Sequence, residues 1–206
     1  MLHKVVISLN SIEREKYKDT IDALSESWYS IFSYYNILPI LMPNVGKKSL
    51  SYLREIENLE GIILSGGSES KSRFETENVL ISYGMEWDIP VLGICHGAQM
   101  LNIFFGGNII KIKDDNEINH VCTEHPIRLF YDDFLFNSDT QVVNSYHING
   151  IDKIANNFNI FAISSEGLIE GFKHKEKMVV GILWHPERYN KIMEIDGFLF
   201  NKIFGF

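Results

Sequence analysis

Short, uninterrupted apolar runs alternate with longer segments in which apolar residues recur every three or four positions through the first half of the chain. Lys4 to Leu9, Leu38 to Pro43, Gly61 to Ser65 and Val91 to Ile94 read as strands, and Pro39 and Pro43 keep the second of these from being helix. Between them, Ile21, Leu24, Trp28, Ile31, Phe32 and Tyr35 fall on one helical face. Leu50 to Leu59 and Glu75 to Trp87 also predict helix, the latter stopped by Pro90. Another helix is expected from about Gly97 to Phe105, closed by Gly106 and Gly107. Strands that are apolar throughout suit a sheet covered on both faces. The alternation therefore predicts an α/β fold in three layers, a mostly parallel central sheet with helices on both sides. Ligands of such sheets bind beyond the carboxyl ends of the strands.

The second half is less regular. Asn108 to Ile112, Ile127 to Tyr131, Gln141 to Asn144, Asn159 to Ser164, Leu168 to Phe172 and Val179 to Trp184 predict short strands, and Ile192 to Phe204 a final helix. Asp114 to Asn119 is the most polar stretch and reads as a surface loop. With no internal repeat and no long linker, residues 1–206 are expected to form a single domain.

Charge narrows the function. Lys and Arg number 19 against 27 Asp and Glu, a net charge of -8, which disfavours tracking a nucleic-acid backbone but leaves room for a local anion site. Cys95 and Cys122 are the only cysteines, too few for a disulfide framework. The apolar run Val5 to Leu9 is too short for a signal-peptide core, and nothing approaches a membrane-spanning stretch. The expected location is the cytoplasm, with no membrane partner.

The chemistry gathers at two strand ends. Gly93-Ile94-Cys95-His96-Gly97 is a strand-to-helix turn of the form G-x-C-x-G, the cysteine counterpart of the nucleophile elbow. A thiol there is held above the sheet, and the positive end of the following helix favours its reactive thiolate. The His96 N–H would point where an oxyanion develops. His185-Pro186-Glu187 ends the last predicted strand, and residues i and i+2 of an extended segment project to one side. A carboxylate so placed can orient its neighbouring imidazole, which completes the nucleophile–base–orienter logic of a triad. Ser65-Gly66-Gly67 is a candidate second oxyanion donor. Read singly, each motif has a plain alternative: a buried structural cysteine, a surface histidine beside a solvated glutamate, a tight turn.

Together they resemble the signature of the class I glutamine amidotransferase-like proteins. The segments Gly93 to Gln99 and His185 to Glu187 carry the likeness, supported by Asp22 to Leu24 with Trp28, Leu41 to Asn44, Gly61 to Gly67, Glu75 to Glu77, Phe105 to Gly107, Asn144 to His147 and Trp184 to Arg188. The resemblance spans nearly the whole chain and is closest to the free-standing γ-glutamyl hydrolases. It implies a flavodoxin-like sheet, a Cys95–His185–Glu187 triad, an oxyanion hole from the N–H groups of Gly67 and His96, and substrate contacts at Gly66, Gln99, Asn144, Ser145, Tyr146 and His147. It implies acyl transfer through a glutamyl thioester with no metal or organic cofactor, on a γ-glutamyl nucleotide amidate of surface-polysaccharide pathways, such as γ-glutamyl-CDP-amidate, or on a γ-glutamylated small amine. The chain departs from the family's usual pattern at three places: His96 where Arg is common, Ser68-Glu69 where Asn-Asp or Ser-Asp is common, and Ile21 where Arg often precedes the Asp. These departures bear on substrate choice rather than on the chemistry. A glutaminase subunit feeding ammonia to a separate synthetase, and a non-catalytic or redox-sensing module, are the competing readings.

Other residues carry weaker signals. His120-Val121-Cys122-Thr123-Glu124-His125 superficially resembles a metal cluster, yet no second Cys/His pair accompanies it in sequence, so a structural or pocket-lining role is expected. His147 sits in a loop-like context without an adjacent carboxylate and is expected to position substrate. Tyr29 and Tyr34 lie off the apolar stripe and are expected to face solvent or a second copy in a homodimer.

Overall fold

The computed structural model describes residues 2–112, 120–130 and 139–206. The first half comprises β1 (His3–Ser8), β2 (Asn10–Arg14), β3 (Asp19–Ala23), α1 (Trp28–Tyr34), β4 (Ile37–Met42), α2 (Ser49–Leu53), β5 (Gly61–Leu64), α3 (Lys71–Trp87), β6 (Val91–Ile94) and α4 (His96–Phe104). After these come β7 (Asn108–Lys111), β8 (Val121–Leu129), β9 (Thr140–Tyr146), β10 (Asn149–Lys153), β11 (Phe158–Ser164), β12 (Ile169–His174), β13 (Val179–Ile182) and α5 (Glu194–Phe204).

Five strands pair in parallel in the order β4-β1-β5-β6-β13. Counted among themselves they run 2-1-3-4-5, the doubly wound order of flavodoxin-like sheets. Strand alternation splits their side chains between two apolar layers. Val5 and Ile7 join Trp28, Trp184 and Phe200 on one face, where α1 and α5 pack, whereas Val6 joins Leu80, Ile81 and Leu101 under α3 and α4 on the other. The predicted three-layer architecture is the one observed. Past β13 the sheet continues antiparallel through β12, β11, β8 and β9, with β10 bridging β12 and β7.

The helix expected from Ile21 begins only at Trp28. Asp19–Ala23 instead pairs with Asn10–Arg14 as a two-stranded ribbon. Long-range bonds outweigh the helical spacing here: Asp22 accepts from the Asn44 N–H at 2.8 Å and from Asn44 Nδ2 at 2.7 Å. The Leu50 to Leu59 helix shrinks to Ser49–Leu53. At α3 the difference runs the other way, because the Ser70 hydroxyl accepts from the Arg73 N–H at 3.2 Å and caps a helix that starts four residues before Glu75. β9 runs on through Tyr146, and residues read as loop from Asn149 form β10. The loop expected over Asp114 to Asn119, and Tyr131 at the end of a predicted strand, lie outside the described residues. No described helix is long and apolar enough to cross a membrane. Tyr29 and Tyr34 are exposed, as their position off the apolar stripe suggests.

Candidate active site

β6 ends at Ile94 and α4 begins at His96, so Cys95 alone makes the turn between them, with φ 50° and ψ -104°. A non-glycine residue held there stores backbone strain, of the kind that clusters at functional sites. Two bonds hold it: the Cys95 N–H donates to the Ile182 carbonyl at 2.8 Å, and its own carbonyl accepts from the Gln99 N–H at 3.0 Å. The residue is 7% exposed and packs into the apolar layer under α1 and α5, so this cysteine is more deeply set than a turn position suggests. Its outlet is a groove of about 430 Å³ that it lines with His96, Gln99, Tyr146 and His185.

His185 lies just beyond β13 on the neighbouring strand end. Its Nδ1 is 2.6 Å from Glu187 Oε1, and both side chains are buried. The Asn144 amide brackets the backbone of this histidine, accepting from its N–H at 2.8 Å and donating to its carbonyl at 2.8 Å. Burial by itself lowers the His185 pKa, but hydrogen bonds to Cys95 and Glu187 and their negative charge outweigh it and raise the ring to about 9. The Tyr146 ring stands edge-on to His185, and the Arg188 guanidinium lies 4.1 Å over that tyrosine, which places a positive charge on the groove wall.

The loop after β5 forms the opposite wall. Gly66 passes so close to His185 that a Cβ would lie 2.5 Å from its Cε1, and Gly67 has φ +132°, which side chains rarely adopt. A buried ion pair that sequence reasoning did not single out holds this loop. Arg73 donates from Nε to Glu77 Oε1 at 2.9 Å, from Nη2 to the Ser65 carbonyl at 2.6 Å and from Nη1 to the Ser68 carbonyl at 3.0 Å. Glu77 also accepts from the Ser8 hydroxyl at 2.8 Å and faces His96 Nε2 at 3.2 Å. Apart from the place of Glu77 in the family-like segment Glu75 to Glu77, its sequence signal is an i, i+4 pair of opposite charges, a pattern typical of solvated helix faces, although here both side chains are fully buried. The His96 ring is thus directed at Glu77, while its N–H, at the start of α4, is not used by the helix.

The substrate-contact expectations divide. Gly66, Gln99 and Tyr146 line the groove or its extension toward the β2–β3 ribbon, where Ile12, Leu24 and Trp28 form the far wall. Gln99 also donates to the Asn149 carbonyl at 2.9 Å. Asn144, Ser145 and His147 have their side chains engaged elsewhere. Asn144 holds His185, the Ser145 hydroxyl donates to the His120 carbonyl at 2.9 Å, and His147 is buried with its Nε2 3.8 Å from Glu170. His147 sits in the turn between β9 and β10, the loop-like context expected of it, and although no carboxylate adjoins it in sequence, β12 brings Glu170 to it. The same folding gives the segment His120 to His125 partners that its spacing in sequence did not reveal.

A family model described as Peptidase C26 matches residues 5–187. The chain belongs to the Peptidase C26 family. It is 28% identical over 201 residues to the gamma-glutamyl-CDP-amidate hydrolase of Campylobacter jejuni, covering 92% of each chain. Over 140 residues it is 31% identical to a glutamine-hydrolyzing GMP synthase subunit of Methanococcus vannielii, covering 66% of this chain and 69% of the other. The fold matches the crystal structure of a glutamine amidotransferase from Thermotoga maritima with a TM-score of 0.68 at 20% identity, over 91% of this chain and 77% of that one. The likeness supports a hydrolase on a glutamine amidotransferase-like fold.

Proposed function

We propose that this C26-family chain is a cysteine-dependent hydrolase that cleaves a γ-glutamyl amide bond and releases L-glutamate. The observation that carries the reading is the convergence, on one groove, of Cys95 at its strained turn with the His185–Glu187 pair. The Cys95 thiolate attacks the γ-carbonyl carbon, and the N–H groups of Gly67 and His96 receive the developing oxyanion. The C–N bond breaks as protonated His185 gives its proton to the departing nitrogen, leaving a glutamyl thioester on Cys95. Water then adds to the thioester carbon, His185 takes its proton, and the C–S bond breaks to regenerate the thiolate and free glutamate. Glu187 holds the ring's orientation and stabilises the imidazolium.

Similarity over 92% of the Campylobacter jejuni relative favours a γ-glutamyl nucleotide amidate, such as γ-glutamyl-CDP-amidate, as substrate, with a cytoplasmic place in surface-polysaccharide assembly. A γ-glutamylated small amine is the next candidate. Incubating purified protein with a panel of γ-glutamyl amides should release glutamate from at least one. Folded protein that releases none overturns the reading. The resemblance to the Methanococcus vannielii GMP synthase component favours a second reading, a glutaminase silent until a separate synthetase binds, which activation by that partner alone would reveal. A non-catalytic or redox-sensing role would leave the buried His185–Glu187 pair without a use.

Two further results are expected. With His185 raised to about 9, the imidazolium needed for leaving-group protonation persists through neutrality and is lost as pH rises through that value. The kcat/KM profile should therefore fall on an alkaline limb near pH 9, and Glu187→Gln, which removes the carboxylate charge, should move that limb downward. Gly66→Ala should lower kcat about 100-fold, because the new methyl displaces the His185 ring, while the unfolding midpoint changes little. Steady-state kinetics beside a thermal melt would check this.

A further inference from the structure

Behind the groove wall, four buried side chains that the proposed reaction does not use converge. His120 precedes β8, His125 lies on it, His147 follows β9 and Glu170 belongs to β12. One ligand atom from each lies within 4.8 Å of all the others. The four side chains are only 1–2% exposed. His125 Nε2 stands 3.7 Å from Glu170 Oε1, and His147 Nε2 stands 3.8 Å from Glu170 Oε2, both too long for hydrogen bonds. As a result His125 Nε2, His147 Nε2 and both Glu170 oxygens are buried with no hydrogen-bond partner. Orphaned polar atoms in such a concentration are rare in native proteins and call for a ligand.

The remaining ring nitrogens say which kind. His147 Nδ1 is 3.1 Å from the Asn149 carbonyl, and His125 Nδ1 is 3.3 Å from the Pro126 carbonyl. A carbonyl only accepts, so each Nδ1 carries the hydrogen and each Nε2 turns a lone pair toward Glu170. This is the tautomer and outer support of a metal-bound imidazole. His120 Nδ1 lies 3.2 Å from the Ser145 hydroxyl, and its Nε2 lies 3.3 Å from a further carboxylate, Glu166.

Strand geometry makes the gathering possible. Residues five apart on a regular strand point to opposite faces. Between Val121 and Thr123 the register against β9 shifts, with Val121 opposite Tyr146 and Thr123 opposite Ser145, and Cys122 takes φ +56° as the extra residue. The bulge brings the rings of His120 and His125 to a centroid separation of 4.7 Å.

We propose that His120, His125, His147 and Glu170 form a structural binding site for a divalent transition-metal ion, zinc above all. Three imidazoles and one carboxylate supply a complete tetrahedral set with no open position, the pattern of structural rather than catalytic zinc. Ligand atoms around tetrahedral zinc stand roughly 3.3 Å apart, so the 3.7 and 3.8 Å separations would close by about half an ångström and the widest pair, up to 4.8 Å apart, by up to about 1.5 Å as the ion draws the side chains in. Magnesium and calcium demand oxygen-rich shells that this set lacks. Such an ion would tie β8, the β9–β10 turn and β12 together. That stretch carries Asn144, which holds His185, and Asn149, which holds Gln99, so the ion would stiffen the wall behind the groove.

The test uses the full chain with Cys95→Ala and Cys122→Ala, so that thiols contribute no binding. Protein stripped with a chelator is equilibrated with zinc chloride, desalted and analysed by plasma mass spectrometry. One zinc per chain is expected, with the unfolding midpoint raised by about 5–10 °C at a hundredfold excess over the dissociation constant. Cobalt(II) in its place should give the strong visible bands of a tetrahedral site. Glu170→Gln and, separately, His147→Gln should each weaken zinc retention 10-fold or more. Stripped protein that takes up less than about a tenth of an equivalent, with an unmoved midpoint, overturns the proposal and leaves a protonated Glu170 sharing hydrogens with the rings. Undiminished zinc binding in both variants overturns it equally, because the ion would then sit elsewhere.

Discussion

Cys95→Ala is expected to abolish glutamate release, lowering turnover by about 10⁴-fold or more, with whatever persists owed to binding and to the oxyanion donors. In the proposed mechanism the thioester forms on its sulfur, so mass spectrometry of the variant after incubation with substrate should show no glutamyl adduct, whereas the wild-type chain should trap one on a slow substrate. Stability should change little, by about 1 kcal/mol, since only one atom leaves a site that the neighbouring apolar side chains already enclose. The strain at φ 50° is unaffected, because alanine tolerates that conformation no better than cysteine. A melt that matches wild type beside absent turnover would separate chemistry from folding. Turnover retained in this variant would sink the hydrolase mechanism.

Glu77→Ala should be the most damaging change outside the reacting groups. It strands the guanidinium of Arg73 in the interior, where breaking a buried pair costs about 3–5 kcal/mol. For a chain of this size that is roughly 6–20 °C in the unfolding midpoint. The loss should extend to catalysis, because Arg73 holds the Ser65 and Ser68 carbonyls on either side of Gly67, and Glu77 faces His96. Turnover measured well below the lowered midpoint should fall more than substrate affinity if Gly67 and His96 are the oxyanion donors proposed above. The pH dependence has a definite sign. Burial pushes the Glu77 carboxyl up, but hydrogen bonds and charge from His96 and Arg73 outweigh this and leave it below the usual carboxylate range. A depressed pKa contributes stability above the ordinary carboxylate value and loses it as pH falls through the folded one. Acid should therefore destabilise wild type through this group and Glu77→Ala correspondingly less. Equal acid sensitivity in the two proteins would refute the assignment.

Much of the molecule was legible without coordinates wherever local pattern and long-range packing agreed. The strands β5 and β6 read plainly because parallel strands covered on both faces are buried and apolar along their length, β1 and β4 read plainly from their apolar runs, and the turn around Cys95 read plainly because its glycines mark the chain reversal. Misreadings arose where distant bonds overrode spacing. Ile21 and Leu24 sit at helical intervals, yet Asp22 is claimed by Asn44, and the segment becomes a strand.

Sequence by itself determined the layered α/β architecture, the strand-end position of Cys95 and His185 and the chemical types on offer, because each depends on hydrophobic periodicity or on residues close in the chain. Only the tertiary structure decided what those residues meet. The Asn144 amide holds the His185 backbone, Arg73 and Glu77 brace the loop after β5, and His120, His125, His147 and Glu170 share one buried space. The physical reason is that strand pairing and a single bulge join residues up to 50 positions apart, and no rule of spacing along one chain encodes which side chains those pairings bring face to face.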